Sequence, residues 1–196
     1  MMKLNAQILA AFNEGFEAAK AGGVHDATAM IVSTRHENGE GVSARTVLLK
    51  AVNEQGFVFY TNTLSNKGRQ LSTYPVACLV FPWLEIERQV IVEGRVEAVS
   101  DAEADAYFAS RPRGSQIGAW ASQQSSRLNQ RADFEQAIED TEARFGEGDV
   151  PRPPHWSGYR VIPNMVEFWY GRDHRLHDRH RWTLEQGEWL ETLLYP

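Results

Sequence analysis

The sequence predicts a mainly β, α+β fold: an antiparallel barrel with peripheral helices packed against its outside. Three observations point there. The apolar segments are mostly short and are punctuated by turn residues such as Glu37-Asn38-Gly39, Asn53-Glu54-Gln55-Gly56 and Glu185-Gln186-Gly187. Helical periodicity is confined to a few intervening stretches. No GxGxxG or GxxxxGK[ST] loop occurs, so a parallel nucleotide-binding sheet fits poorly. With 196 residues, of which 42% are hydrophobic, the chain has material for one core. We expect a single domain over 1–196, opening with a helical segment at 1–26.

In chain order, Ile8, Phe12 and Phe16 recur at four-residue spacing before Gly22-Gly23, which predicts an amphipathic helix with a glycine stop. From Ala29 the period changes to that of strands: Met30 to Val32, Thr46 to Val52 and Phe57 to Thr61. A short helix is expected through Lys67 to Leu71, ending before Pro75. Two longer strands follow, Val76 to Phe81 and Glu87 to Val99. Ser100 precedes Glu103 by three residues, a capping-box pattern that predicts a helix stopping near Pro112. The segment Ser110 to Gln116 then reads as a turn. Ala132 to Phe145 reads as a helix and Gly146 to Pro154 as a loop. Strands are expected at Tyr159 to Ile162, Met165 to Tyr170, Arg181 to Thr183 and Trp189 to Leu194.

A formal charge of −6 argues against a broad nucleic-acid surface, so any affinity for anions must be local. The apolar run from Val76 to Ile86 contains Pro82 and is too short for a membrane helix, and polar residues interrupt the N-terminal stretch. With one cysteine, Cys78, no internal disulfide can form. We expect a cytoplasmic protein.

Several polar clusters could carry chemistry. Asp173 to His180 holds three histidines, which invites a metal reading, but the neighbouring arginines oppose a divalent ion, and no metal is expected. A solvated charged loop is the plainer alternative. A third reading has Arg175, His177 and Arg179 meeting an anion, because guanidinium forks match phosphate and carboxylate. The loop Ser110-Arg111-Pro112-Arg113-Gly114-Ser115-Gln116 offers two arginines and two hydroxyls that suit a phosphate, or is simply a solvated turn. Ser122 to Arg127 supplies amides and hydroxyls that suit a ring system, or is a plain loop. Arg45 and Lys50 bracket Val47-Leu48-Leu49 and need a twist or bulge to serve one ligand, since a separation of five puts them on opposite faces of a flat strand.

Taken together and in order, these segments resemble the pyridoxine/pyridoxamine 5′-phosphate oxidase family. The matching stretches are Arg45 to Lys50, Phe57 to Asn62, Glu87 to Val90, Ser110 to Trp120, Gln124 to Arg127, Glu167 to Trp169 and Arg175 to Arg179. Arg-Pro-Arg-x-Ser-Gln-Ile-Gly-Ala-Trp and Arg-Leu-His-Asp-Arg are the most specific of them. The resemblance runs from about Ala27 to the C-terminus.

It implies an FMN-binding split antiparallel β-barrel, a homodimer with each FMN at the subunit interface. It assigns FMN contacts to Arg45, Thr46, Val47, Leu48, Leu49, Lys50, Tyr60, Thr61, Lys67, Gln89, Gln124, Ser125, Trp169 and Arg179. The substrate phosphate falls to Lys50, Tyr107, Arg111 and Ser115, and the pyridine ring to Arg175 and His177, the residues closest to catalysis. The implied reaction is oxidation of pyridoxamine or pyridoxine 5′-phosphate by dioxygen to pyridoxal 5′-phosphate. Asn66 stands where the family usually has Arg, Tyr170 replaces a Gln, and the closing segment lacks an Arg. The chain also begins late relative to the arm that folds over substrate in relatives. Two alternatives stay open: a split-barrel flavoprotein with another substrate or reductase activity, and a non-catalytic pyridoxal phosphate binder.

Overall fold

The computed structural model describes residues 3–196; Met1 and Met2 of the N-terminal segment lie outside the described residues. The elements are α1 (Ala6–Ala21), β1 (Ala29–Arg35), β2 (Val42–Leu48), β3 (Ala51–Asn53), β4 (Gly56–Asn62), α2 (Asn66–Thr73), β5 (Val76–Trp83), β6 (Arg88–Ala98), α3 (Asp101–Ala109), α4 (Arg113–Ala121), α5 (Arg131–Phe145), β7 (Trp156–Tyr170), β8 (Asp178–Glu185) and β9 (Glu188–Leu194). The strands form one antiparallel sheet in the order β2-β1-β5-β6-β7-β4-β3, curled into a half-barrel. One edge of β7 is shared: its first half pairs with β4 and its second half with β8, which continues to β9.

The core fills the curl. Phe57, Phe59, Leu79, Phe81, Trp83, Val92 and Val166 are buried on its inner side. Helix α1 closes the open end through Ile8, Phe12, Gly15 and Ala19, the face that the four-residue spacing implied. Phe12 meets Phe57 and Phe81 edge-on at centroid distances of 4.9 and 5.0 Å, arrangements that add to the burial itself. Ser100 caps α3 in the expected box, with Ser100 Oγ accepting from Glu103 N–H at 3.2 Å.

Three expectations are corrected. The single strand Thr46 to Val52 is broken at Leu49-Lys50: Leu49 is buried in the core, and Lys50 N–H donates to Val58 O. The two strands Tyr159 to Ile162 and Met165 to Tyr170 are one strand, β7. Pro163-Asn164, left between the two expected strands, forms a bulge within the one strand, where Gly94 faces Pro163 and Glu93 faces Met165. Gly94 is required there, because a Cβ would lie 2.1 Å from Ile162 O. Finally, Ser110 to Gln116 is no simple turn. Helix α3 does end at Ala109, but Pro112 starts α4 rather than only stopping α3, since a missing N–H is harmless at a helix N-terminus.

Among the described residues no helix is long and apolar enough to cross a membrane, and no three His, Cys, Asp or Glu side chains cluster in a way that could hold a metal ion.

Candidate active site

A cleft of about 800 Å³ lies between the β2–β4 region, α2, α4 and α5. Lys50, Lys67 and Arg111 line it, and no Asp or Glu does. That is a sharp local reversal in a chain of net charge −6.

One cationic group is built from α2 and β4. Lys67 is only 8% exposed, and its Nζ donates to Thr61 Oγ1 at 2.9 Å and Gln124 Oε1 at 2.8 Å. Burial first, and then the charge of Arg45, push the Lys67 ammonium down to about 8. Arg45 stands behind it, with its guanidinium donating to Thr34 Oγ1 (2.5 Å), Ser43 Oγ (2.6 Å) and Gln70 Oε1 (3.2 Å). All these acceptors are neutral. Among the described residues no carboxylate pairs with either cation, so the two form a site that an anion would neutralise.

The second group is aromatic and basic. Tyr60 stacks on Tyr107 at 4.0 Å and on Trp156 at 5.3 Å. The Arg111 guanidinium lies over Trp156 at 4.7 Å, and its Nη1 is buried without a hydrogen-bond partner. A buried guanidinium N–H left unbonded costs free energy until an acceptor arrives. Ser115 follows on the cleft-facing side of α4, one turn before Gly118 and two before Ser122. Arg113 plays no part here: it donates to Gly146 O and Gly148 O at the end of α5.

The cleft thus gathers Thr46, Val47, Leu48, Lys50, Tyr60, Thr61, Lys67, Tyr107, Arg111, Ser115 and Gln124 of the residues named from sequence. Arg45 backs it, Leu49 turns into the core, and Ser125 sits next door in the α4–α5 connection with φ 71°.

Gln89, Trp169, Arg175, His177 and Arg179 do not join them. Gln89, Trp169 and Arg179 form a row across β6, β7 and β8, and Arg175 and His177 lie in the following loop. Tyr60 faces Gly158 near the start of β7, whereas Trp169 is near its end, a contour of about 35 Å at the usual strand rise. Glu167, 1% exposed, orders this distal group: its Oε1 accepts from Arg179 at 2.8 Å and its Oε2 from Arg181 at 2.7 Å. Burial alone would raise the Glu167 carboxyl, but the hydrogen bonds and charges of the two arginines outweigh it and hold the group below the ordinary carboxylate range.

Sequence reasoning assigned no role to Gly118, Phe134 and Trp156, which line the cleft, or to Glu167. Trp156 and Phe134 carry no local pattern that separates a cleft wall from a core. Asn66, in place of the family's Arg, accepts from Arg69 Nη2 at 2.6 Å on the exposed side of α2.

Fold and cleft together define a split-barrel protein with a basic, aromatic-walled cleft suited to phosphorylated ligands. Residues 16–145 match the family model described as pyridoxamine 5′-phosphate oxidase, and residues 156–196 match the pyridoxine 5′-phosphate oxidase C-terminal dimerisation region. The pyridoxine/pyridoxamine 5′-phosphate oxidase of Myxococcus xanthus is 52% identical over 94% of this chain and 89% of its own, and that of Gluconobacter oxydans 47% over 100% and 98%. Among solved structures, PhzG from Burkholderia lata, in complex with tetrahydrophenazine-1-carboxylic acid, superposes with a TM-score of 0.90 at 26% identity over 96% of this chain and 92% of that one. A pyridoxamine 5′-phosphate oxidase-related, FMN-binding protein from Nostoc punctiforme shares the fold with a TM-score of 0.77 at 18% identity, over 98% and 100% of the two chains. The chain belongs to the pyridoxamine 5′-phosphate oxidase family and is an enzyme of that family.

Proposed function

We propose that this enzyme oxidises pyridoxamine 5′-phosphate, pyridoxine 5′-phosphate or both with dioxygen, giving pyridoxal 5′-phosphate and hydrogen peroxide, with ammonia released from the amine. The observation that carries the reading is the cleft lined by three cations and no carboxylate, with a buried Arg111 Nη1 lacking a partner. Relatives of about half identity that bear the oxidase name support it.

The donor set fits FMN. Lys67, Thr61 and Gln124, backed by Arg45, would hold its phosphate, and the β2 end from Thr46 to Lys50 would run beside it. When bound, the flavin supplies the two-electron acceptor that the amino-acid side chains lack. Arg111, Ser115, Tyr107 and Lys50 would take the substrate phosphate. The Tyr60–Tyr107–Trp156 stack gives that end a rigid wall, so that binding energy goes into orientation.

The distal group completes the site from a second copy of the chain. Support comes from the long β7 contour and from the match of residues 156–196 to a dimerisation region. In a homodimer, Gln89, Trp169 and Arg179 would address the flavin, and Arg175 and His177 the pyridine ring. Cys78 as the one cysteine suits a reducing compartment, and we place the reaction in the cytoplasm.

The test is aerobic turnover of FMN-loaded protein with each substrate in turn, following aldehyde and peroxide together. Both products from either substrate are expected. Bound FMN with no turnover of either, but with activity from a nicotinamide donor, would move the function to a reductase. A protein that binds pyridoxal 5′-phosphate and no FMN would be a carrier.

A further inference from the structure

Behind the cations of the cleft stands Gln70, a side chain that does not line it. Gln70 is 7% exposed and lies one turn beyond Lys67 on the buried face of α2. Three donors meet at its Oε1: Thr34 Oγ1 at 2.5 Å, Ser43 Oγ at 3.1 Å and Arg45 Nη2 at 3.2 Å. Arg45 also donates from Nη1 to Thr34 Oγ1 and from Nη2 to Ser43 Oγ.

A guanidinium can only donate, so both hydroxyls accept from Arg45 and each has one proton left to give. Both protons go to Gln70 Oε1. The direction of every hydrogen bond in the network is thereby fixed, and the Gln70 amide is held with its oxygen towards Arg45.

That oxygen has two lone pairs for three donors, one of them charged. A carboxylate would suit the unliganded protein better. Glutamate has nearly the size and shape of glutamine, offers more acceptor sites, and bonds a guanidinium about twice as strongly as a neutral acceptor does. It would also neutralise Arg45 and stand one helical turn from Lys67, whose ammonium has only the neutral partners Thr61, Ser65 and Gln124. The amide fixes Arg45 without discharging it.

We propose, resting on the oxidase reading above, that Gln70 is a positioning residue for the cofactor phosphate: it orients Arg45 through Thr34 and Ser43 and leaves the charge of Arg45 and Lys67 to the phosphate dianion. Its neutrality, rather than its shape, is what selects a phosphorylated flavin. Glutamate at this position gives a more stable ligand-free protein with little preference for FMN over riboflavin, which has the same ring and ribityl chain but no phosphate.

The test compares Q70E and Q70M with the parent by calorimetry of the ligand-free proteins and by fluorescence titration with FMN and with riboflavin. Ligand-free Q70E should melt about 2–4 °C above the parent, and Q70M below it. Q70E should bind FMN about ten- to a hundredfold more weakly, the worth of a charge-assisted hydrogen bond, and riboflavin within about twofold of the parent. Q70M, although less stable, should lose less FMN affinity than Q70E. A merely structural role predicts the reverse order, with affinity following stability and both flavins affected alike. That pattern overturns the inference, as does a Q70E protein that is no more stable than the parent or that binds FMN as tightly. A parent that binds no FMN would instead refute the oxidase reading. Inorganic phosphate then replaces FMN as the probe: it should raise the melting temperature of the parent and not of Q70E, and equal protection of the two would overturn the inference.

Discussion

Replacing Gly118 with alanine separates what the fold wants from what the cleft wants. Gly118 is inside α4, where glycine costs about 1 kcal/mol relative to alanine. Nothing in the chain demands that sacrifice: an added Cβ would meet no atom within 4 Å, and φ lies outside the left-handed region. The position lines the cleft, on the same helix face as Ser115 and Ser122. On the proposed function, the missing methyl leaves space for a ligand. G118A should stabilise the ligand-free protein by about 0.5–1 kcal/mol. For a chain of this length that is a Tm rise of about 1–4 °C. The same methyl intrudes on the ligand, and overpacking of about 1–3 kcal/mol lowers affinity by about five- to 150-fold. Calorimetry of the ligand-free protein, FMN titration by flavin fluorescence and the substrate KM together read both effects. A variant that is more stable yet binds FMN and substrate as tightly as the parent would refute the reasoning. So would one that is no more stable.

Two further outcomes follow from the charged groups. Because Lys67 in the ligand-free protein titrates at about 8, an anion that needs its ammonium must bring in a proton above that pH. FMN affinity should be flat between about pH 7, above the second ionisation of a phosphate monoester, and pH 8, and fall by up to about tenfold per pH unit above it, a slope that K67M abolishes. By the same sign, a lysine whose folded value lies below its ordinary 10.5 makes the ligand-free protein gain stability as pH rises from about 8 towards 10.5, which urea melts across that range can check. Glu167 works the other way. Its carboxyl is held low by Arg179 and Arg181, so its contribution is present at neutral pH and lost as pH falls through that lowered value. E167Q should cost about 3 kcal/mol at pH 7, the low end for a broken buried pair because both arginines keep some access to water, and the difference from the parent should shrink in acid.

Much of the fold was legible because its signals are local. The spacing of Ile8, Phe12 and Phe16 marks the face of α1, and Ser100 with Glu103 marks the start of α3, since each pattern acts within a turn or two of chain. The errors arose where one residue has two local meanings. Pro112 ends one helix and begins the next, and Pro163 sits in a bulge that its partner strand accommodates through Gly94. The same boundary governs the site. Residue chemistry marked Arg111 and Ser115, but no spacing tells that Tyr60 and Trp169 lie at opposite ends of a strand pairing made by Trp156 to Tyr170. Gly118 is visible only once the emptiness beside it is known.

The length of β7 also bears on genetics. In a two-chain site, each copy lends its cleft to one reaction centre and the far end of β7 to the other. Damage at Arg111 and damage at Arg179 then strike different halves of the same centre. A dimer mixing the two defective chains has one centre with both faults and one with neither, so two inactive alleles can restore each other's activity without recombination.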